Sequence, residues 1–170
     1  LIWAAQIGAH VAMSMRTNPA LPVTDLALTV LPPTDAGRFI MDERNSLLYD
    51  GLSTFTVDDS GTVYIERLVT TYQTNAAGVA DNSYLDIETL LTAEICMQDM
   101  RIYLASQYSR CILVSDGTKI PAGAKATTAA LIGKAAASRY RWQASQFWVQ
   151  NADDFAHNLV AENAGHGPDK

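Results

Sequence analysis

Carboxylate pairs, activated nucleophiles and clustered metal ligands do most protein chemistry, and this chain of 170 residues holds few of them at a working spacing. Asp81 and Asp86 lie one helical turn or one loop apart, and Asp42 adjoins Glu43, so either pair offers two carboxyl groups for acid and base work. Cys96 is a candidate thiol nucleophile, but neither it nor Cys111 sits in a recognisable nucleophile motif, and Ser138 and Ser145 lack a GxSxG setting. His10, His157 and His166 are scattered without a metal-ligand companion at i+3, i+4 or CxxC spacing. The run from Gly123 to Thr128 has one glycine near a helix start, too little for a phosphate loop. Capping and solvated surface explain the four carboxylates more simply than catalysis. The chain therefore reads as a non-enzyme without cofactor or metal, and a small hydrolase using Asp81 and Asp86, or Cys96, is the alternative from a different class.

What must position these side chains is a folded domain. At 48% hydrophobic and 18% charged residues the chain can bury a core without staples, and residues 1–165 fit one domain followed by a disordered tail at 166–170. With only Cys96 and Cys111 and no CxxC, two buried free thiols are expected rather than a disulfide. The opening run LIWAAQIGAHVAMSM lacks the basic start of a signal peptide and is too short to cross a bilayer, so direct membrane insertion is not expected. Starting on Leu1 rather than Met, it reads as the first helix of a fragment.

A formal charge of −6 argues against nucleic acid as a partner. Its distribution is uneven: residues 42–99 carry eleven acids against two bases, and residues 101–141 seven bases against one acid. Such blocks suit either complementary patches between copies or two differently solvated faces of one domain.

Trp3, Ile7 and Val11 recur one turn apart, which predicts a helix over 2–16 that Asn18 and Pro19 end. ALPVTDLALTVLPP, bounded by prolines, predicts an extended stretch at a sheet edge, with the backbone around Leu26, Leu28 and Val30 free to pair with another chain. A short helix follows over 40–50, weakly started because Ile40 stands where a capping box wants Ser or Thr, and ended by Gly51. Phe55 and Val57, then Val63, Ile65 and Val69, alternate with polar residues around Asp59-Ser60-Gly61, a hairpin over about 53–70. Arg67 falls on the apolar parity, so it either leaves the core or pairs with a carboxylate. After the polar passage containing Tyr72, Ser83 and Asp86 at capping-box spacing predict a helix over 84–108. A second long helix starts near Thr127 or Thr128, with Ile132, Ala136, Tyr140, Ala144 and Phe147 on one stripe and a basic face carrying Lys134, Arg139 and Arg141. Asn151 is expected to cap a last short helix. Mixed helices and a hairpin predict a compact α+β domain with a small antiparallel or mixed sheet.

Three runs then carry a family signature: Glu43-Arg44-Asn45 with Leu47-Leu48 and Gly51, STFTVDDSGTV from Ser53, and IERLVTTYQTNAAGVADNSYLDIETLLT from Ile65. With RTNPALPVTDLAL from Arg16, they resemble the C-terminal part of contractile tail sheath proteins of Mu-like bacteriophages, over about residues 14–95 and more weakly to about 165. The resemblance implies a virion structural protein, self-assembling with other sheath subunits as stacked hexameric rings around a tail tube protein. It implies exchanged terminal arms that add strands to neighbouring sheets, and contraction that drives the tube through the host envelope for viral genome ejection. The implied location is the phage tail, after assembly in the host cytoplasm. A sheath of a phage-derived particle, a bacteriocin or an injection apparatus, is the alternative within this class. Sheath proteins are far longer, so a preceding domain and the final strands are expected to be absent here. The residues expected at contacts are Leu26, Leu28, Val30, Arg67, Tyr72, Lys134, Arg139 and Arg141, the last three toward an acidic tube.

Overall fold

A computed structural model describes residues 1–163, which form an α+β fold; the expected tail at 166–170 lies outside the described residues. The chain divides into two compact units, Leu1–Glu94 and the residues from Ile95 onward.

In the first unit, helix α1 (Ile2–Thr17) buries Val11 and Met15, and its Trp3 ring lies 4.7 Å from Phe55. Asn18 ends it in an extended conformation, its side chain accepting the Ala20 N–H at 2.9 Å. The stretch expected to be extended yields only a two-residue strand, β1 (Ala27–Leu28). Its approach is shaped by Asp25, in the left-handed region at φ 64. The Asp25 N–H donates to the Ile65 carbonyl at 2.8 Å and the Ile65 N–H to the Leu26 carbonyl at 3.1 Å, so two residues stand against one as in a G1 bulge. Aspartate is among the few side chains that tolerate that conformation.

Helix α2 (Met41–Tyr49) has half a capping box: Ile40 offers no acceptor, but the Glu43 carboxylate takes the Ile40 N–H at 2.9 Å. It ends as expected at Gly51, φ 73. The Gly51 N–H reaches the Leu48 carbonyl at 3.1 Å and the Leu52 N–H that of Leu47 at 2.9 Å, a Schellman motif.

Strands β2 (Thr54–Val57) and β3 (Val63–Arg67) make the expected hairpin, and the sheet runs β1-β3-β2, antiparallel throughout. Its turn is held by Asp58, whose carboxylate accepts the Ser60 hydroxyl at 2.7 Å and the Thr62 N–H at 2.8 Å; the Ser60 bond leads in holding Asp58 below the usual carboxylate range. Val63 and Ile65 are fully buried. Alternation placed Phe55 and Val57 inward, yet the register breaks between Thr54 and Phe55, and Thr54 is the buried one while both apolar residues are half-buried. A bulge resets the side-chain parity that alternation assumes.

Helix α3 (Ile87–Gln107) starts three residues later than expected. Residues 85 and 86 stay paired with 69 and 70, and Ser83 bonds to Asp81 rather than joining a capping box. In the second unit, β4 (Ile112–Val114) and β5 (Ala126–Thr128) form a parallel pair that sequence patterning did not predict. Thr128 then caps helix α4 (Ala129–Ser145), its hydroxyl accepting the Leu131 N–H at 3.3 Å. Ala136 of the expected stripe is buried, but Phe147 lies past the helix end in the left-handed region and is exposed. Helix α5 (Ala152–Asn158) stacks Phe155 on Tyr140 with ring centroids 3.9 Å apart. Asn151 stands at its N-cap position, but its side chain makes no capping bond because the residue is left-handed there. Both cysteines are free; Cys96 is buried, which leads in pushing its thiol up, and Cys111 is half-buried.

Candidate interaction surface

The polar passage after β3 is a self-paired excursion. The Thr70 N–H donates to the Leu85 carbonyl at 2.8 Å, Asp81 to Gln73 at 3.0 Å and Asn75 to Val79 at 2.9 Å, so residues 70–75 and 79–85 run antiparallel. The tip closes because the Asn75 side-chain oxygen accepts the Ala77 and Val79 N–H groups at 3.0 and 3.1 Å, with Gly78 at φ 77. Gln73 donates from Nε2 to the Tyr49 carbonyl at 2.8 Å, which ties the excursion to the end of α2. Polar residues here replace the absent apolar packing with side-chain-to-backbone bonds.

Tyr72 donates its hydroxyl to Asp81 at 2.6 Å, and the other Asp81 oxygen accepts the Ser83 hydroxyl at 2.6 Å and N–H at 2.9 Å. The Ser83 hydroxyl leads in holding Asp81 below the ordinary carboxylate range, and the bond to Asp81 leads in pushing Tyr72 up to about 12. Tyr84 meets Tyr72 edge-on at 5.1 Å. A cleft of about 560 Å³ opens between Tyr72, Thr74 and Tyr84, and another of about 670 Å³ beside Tyr49, Gln73 and Asn82. Asp86 is engaged separately: Arg67 donates from Nε at 3.2 Å and Nη2 at 2.8 Å to its Oδ1. The two carboxylates considered for acid and base work thus hold different partners in the loop.

Of the expected edge residues, Leu28 is buried in the core and Leu26 and Val30 are half-buried, so a partner would meet backbone rather than these side chains. β1 pairs only with β3 among the described residues. In antiparallel pairing Ala27 and Thr29 then turn their backbone groups outward. One of those groups is already taken: the Thr29 N–H donates to Gln6 Oε1 of α1 at 3.0 Å.

The three cations of α4 differ. Arg139 makes two bonds to Asp99, one from Nε at 2.7 Å, and its guanidinium lies 3.7 Å over the Trp142 ring. Gln143 donates to the same carboxylate at 2.8 Å and to the Cys96 carbonyl at 2.9 Å. Arg139 leads in lowering Asp99, and the charge of Arg139 is spent inside the unit, a correction to its expected place on an open basic face. Arg141 is exposed and 3.5 Å from Asp153, and Lys134 is exposed. They stand two helical turns apart and share a face. Among the described residues no three His, Cys, Asp or Glu side chains gather to hold a metal ion, and no helix is long and apolar enough to cross a membrane.

The exposed apolar feature missed in the sequence is the β4–β5 pair. Ile112 and Leu113 are 69% and 45% exposed, an apolar strand with little over it. The apolar run before Ser115-Asp116-Gly117 was the available signal; its parallel partner, three small residues ahead of α4, has no strand pattern of its own.

No model of a known protein family matches the chain. The chain is similar to the Mu-like prophage FluMu tail sheath protein of Haemophilus influenzae strain Rd, 32% identical over 167 residues that make up 98% of this chain and 34% of that protein. It therefore spans about a third of the length of the curated relative it matches. The likeness first carried by the ERN, TTYQTN and SYLD runs extends over nearly the whole sequence, so the similarity to that prophage tail sheath protein takes in both compact units of the chain.

Proposed function

We propose that the chain is the C-terminal region of a contractile tail sheath subunit, a structural part of a Mu-like virion tail. In this reading the subunits stack as hexameric rings around a tail tube and contract to drive the tube through the host envelope. They assemble in the host cytoplasm, and neither a cofactor nor catalysis takes part. The observation that carries it is the 32% identity to a tail sheath protein over 98% of the chain. The molecule suits a contact role in two further ways. Its two small sheets have outer edges with no strand partner among the described residues, the place where an arm from a neighbour adds main-chain hydrogen bonds. The carboxylates weighed for a hydrolase are held by Tyr72, Ser83 and Arg67, as structural carboxylates are.

Electron microscopy of the longer subunit containing this sequence tests the reading. Sheath-like tubes of stacked rings are expected; a monodisperse monomer at all concentrations and salt conditions, with or without tail tube protein, overturns it.

A further inference from the structure

Two exposed apolar features of the chain have matching chemistry. One is a groove of about 480 Å³ in the second unit, walled by Met97, Met100 and Leu104 of α3 and by Phe155 of α5. Met97 is 67% exposed, and methionine walls adapt their shape to an incoming apolar side chain. Tyr140 and Gln143 of α4 also line the groove, but their polar ends are engaged: the Tyr140 hydroxyl donates to the Gln150 carbonyl at 3.2 Å, and Gln143 to Asp99 and the Cys96 carbonyl. Arg101 is the one charged side chain on the wall, exposed and without an ion pair among the described residues. The other feature is the entry to α2 in the first unit, where Phe39, Ile40 and Met41 follow one another and are 47%, 64% and 74% exposed. Three consecutive apolar residues in the open are out of place on a surface that meets only water. Two exposed acids come next, and they differ: the Glu43 carboxylate holds the Ile40 N–H at 2.9 Å, while that of Asp42 has no partner among the described residues. Three of the four bases of this unit are already paired with its own acids, through Asp35, Glu66 and Asp86.

We infer that the corner at 39–41 of one copy seats in the α3–α5 groove of a neighbouring copy, with Asp42 brought to Arg101. This rests on the sheath reading, which supplies the neighbouring copies. The groove selects for apolar side chains with an acid beside them, and the chain itself displays that pattern in Phe39, Ile40, Met41 and Asp42. Apolar atoms then meet apolar atoms, and the unpaired cation of the wall meets an unpaired acid, so the contact leaves neither charge without a partner. Corner and groove are different surfaces, so the contact is heterologous: each copy gives its corner to one neighbour and its groove to another. Contacts of that kind close into rings or run on as filaments.

The test is cross-linking between copies. Ile40→Cys and Met97→Cys are made in separate preparations of the longer subunit, each with Cys96→Ala and Cys111→Ala, then mixed under assembly conditions and treated with a short bis-maleimide. A covalent dimer is expected in the mixture at several times the yield of either variant alone, as a heterologous contact requires, and equal yields overturn the inference. Arg101→Glu in the Met97→Cys copy should lower the dimer about tenfold, and Asp42→Arg in the Ile40→Cys copy should recover most of it. A yield indifferent to Arg101→Glu, or a loss that Asp42→Arg does not repair, overturns the pairing. Because the background alters Cys96, which also lines the groove, the same charge swap is read with native cysteines. There Arg101→Glu should slow assembly severalfold by light scattering and the double variant should restore it; unchanged assembly sinks the inference. Tubes of stacked rings that never give the mixed dimer count against this inference alone, and a mixed dimer from subunits that form no tubes counts against the sheath reading alone.

Discussion

Arg139 joins α3 to α4 through one carboxylate. Asp99 and Arg139 have side chains only 20% and 21% exposed, and Gln143, 1% exposed, donates to the same carboxylate. Removing one partner of such a group leaves the other poorly solvated, which costs more than the pair is worth when intact. Arg139→Ala should therefore destabilise the chain by about 1–3 kcal/mol in urea titrations. Asp99 is held below its ordinary value, so its contribution is complete above the unfolded carboxylate range near about pH 4 and drains as the pH falls through its lower folded value. Asp99→Asn should flatten that part of the stability profile between about pH 2 and 5. Tyr72 gives the opposite sign. Raised to about 12 by its bond to Asp81, it favours the fold fully below the ordinary tyrosine range and loses that contribution as the pH climbs through 12. An ultraviolet titration of the seven tyrosines should show a late step near pH 12 that Tyr72→Phe diminishes, with Tyr108, raised by its burial, still titrating above the ordinary range.

Among the elements, the end of α2 is the tightest junction. Gly51 is at φ 73, and a Cβ there would stand 3.0 Å from the Thr71 Cα and 3.1 Å from the Thr70 carbonyl oxygen, both backbone atoms that cannot swing away. Gly51→Ala should cost about 1–3 kcal/mol and loosen the excursion over 70–85, seen as faster amide exchange at Thr70 and Asp81. At the sheet edge, Gln6→Ala frees the Thr29 N–H, whose exchange should quicken while Leu28, on the paired side, keeps its protection. Unchanged exchange at Thr29 would show that the Gln6 side chain does not occupy that edge in solution. Sequence patterning was informative where an element is set locally. The hairpin turn, the Gly51 stop and the start of α4 near Thr127 or Thr128 were all legible, because each depends on a few neighbouring residues. The late start of α3 was not, because residues 85 and 86 are claimed by strand-like pairing with 69 and 70, fifteen or more residues earlier.

At the scale of the molecule, charge is the property a partner meets first. The first unit carries twelve acids and four bases, and the exposed Lys134 and Arg141 give α4 of the second unit a basic face. If that face meets an acidic tube, the double charge reversal Lys134→Glu and Arg141→Glu should weaken co-assembly with tube protein severalfold at low salt and less at high salt, read by co-sedimentation. Assembly unaltered by the reversal at every salt concentration would remove α4 from the tube contact. Arg139→Glu is unsuited to this test, since it would break the fold through Asp99.

The residues expected at contacts divide along the same line. That Lys134 and Arg141 share an exposed face could be read from the sequence because a helix sets side-chain direction by spacing alone, whereas Arg139 could not be separated from them until Asp99, forty residues away, was brought to it. The sequence by itself determined the α+β class, most element boundaries and the likeness to Mu-like sheath proteins, which depend on local pattern and residue identity. Only the tertiary structure decided the parallel β4–β5 pair, the buried Thr54 at a register break, the internal use of Arg139 and the folding of the polar stretch from 70 to 85 onto itself. Each of these is a pairing between distant segments, and no period in a sequence encodes which distant partner a strand or a charge will find.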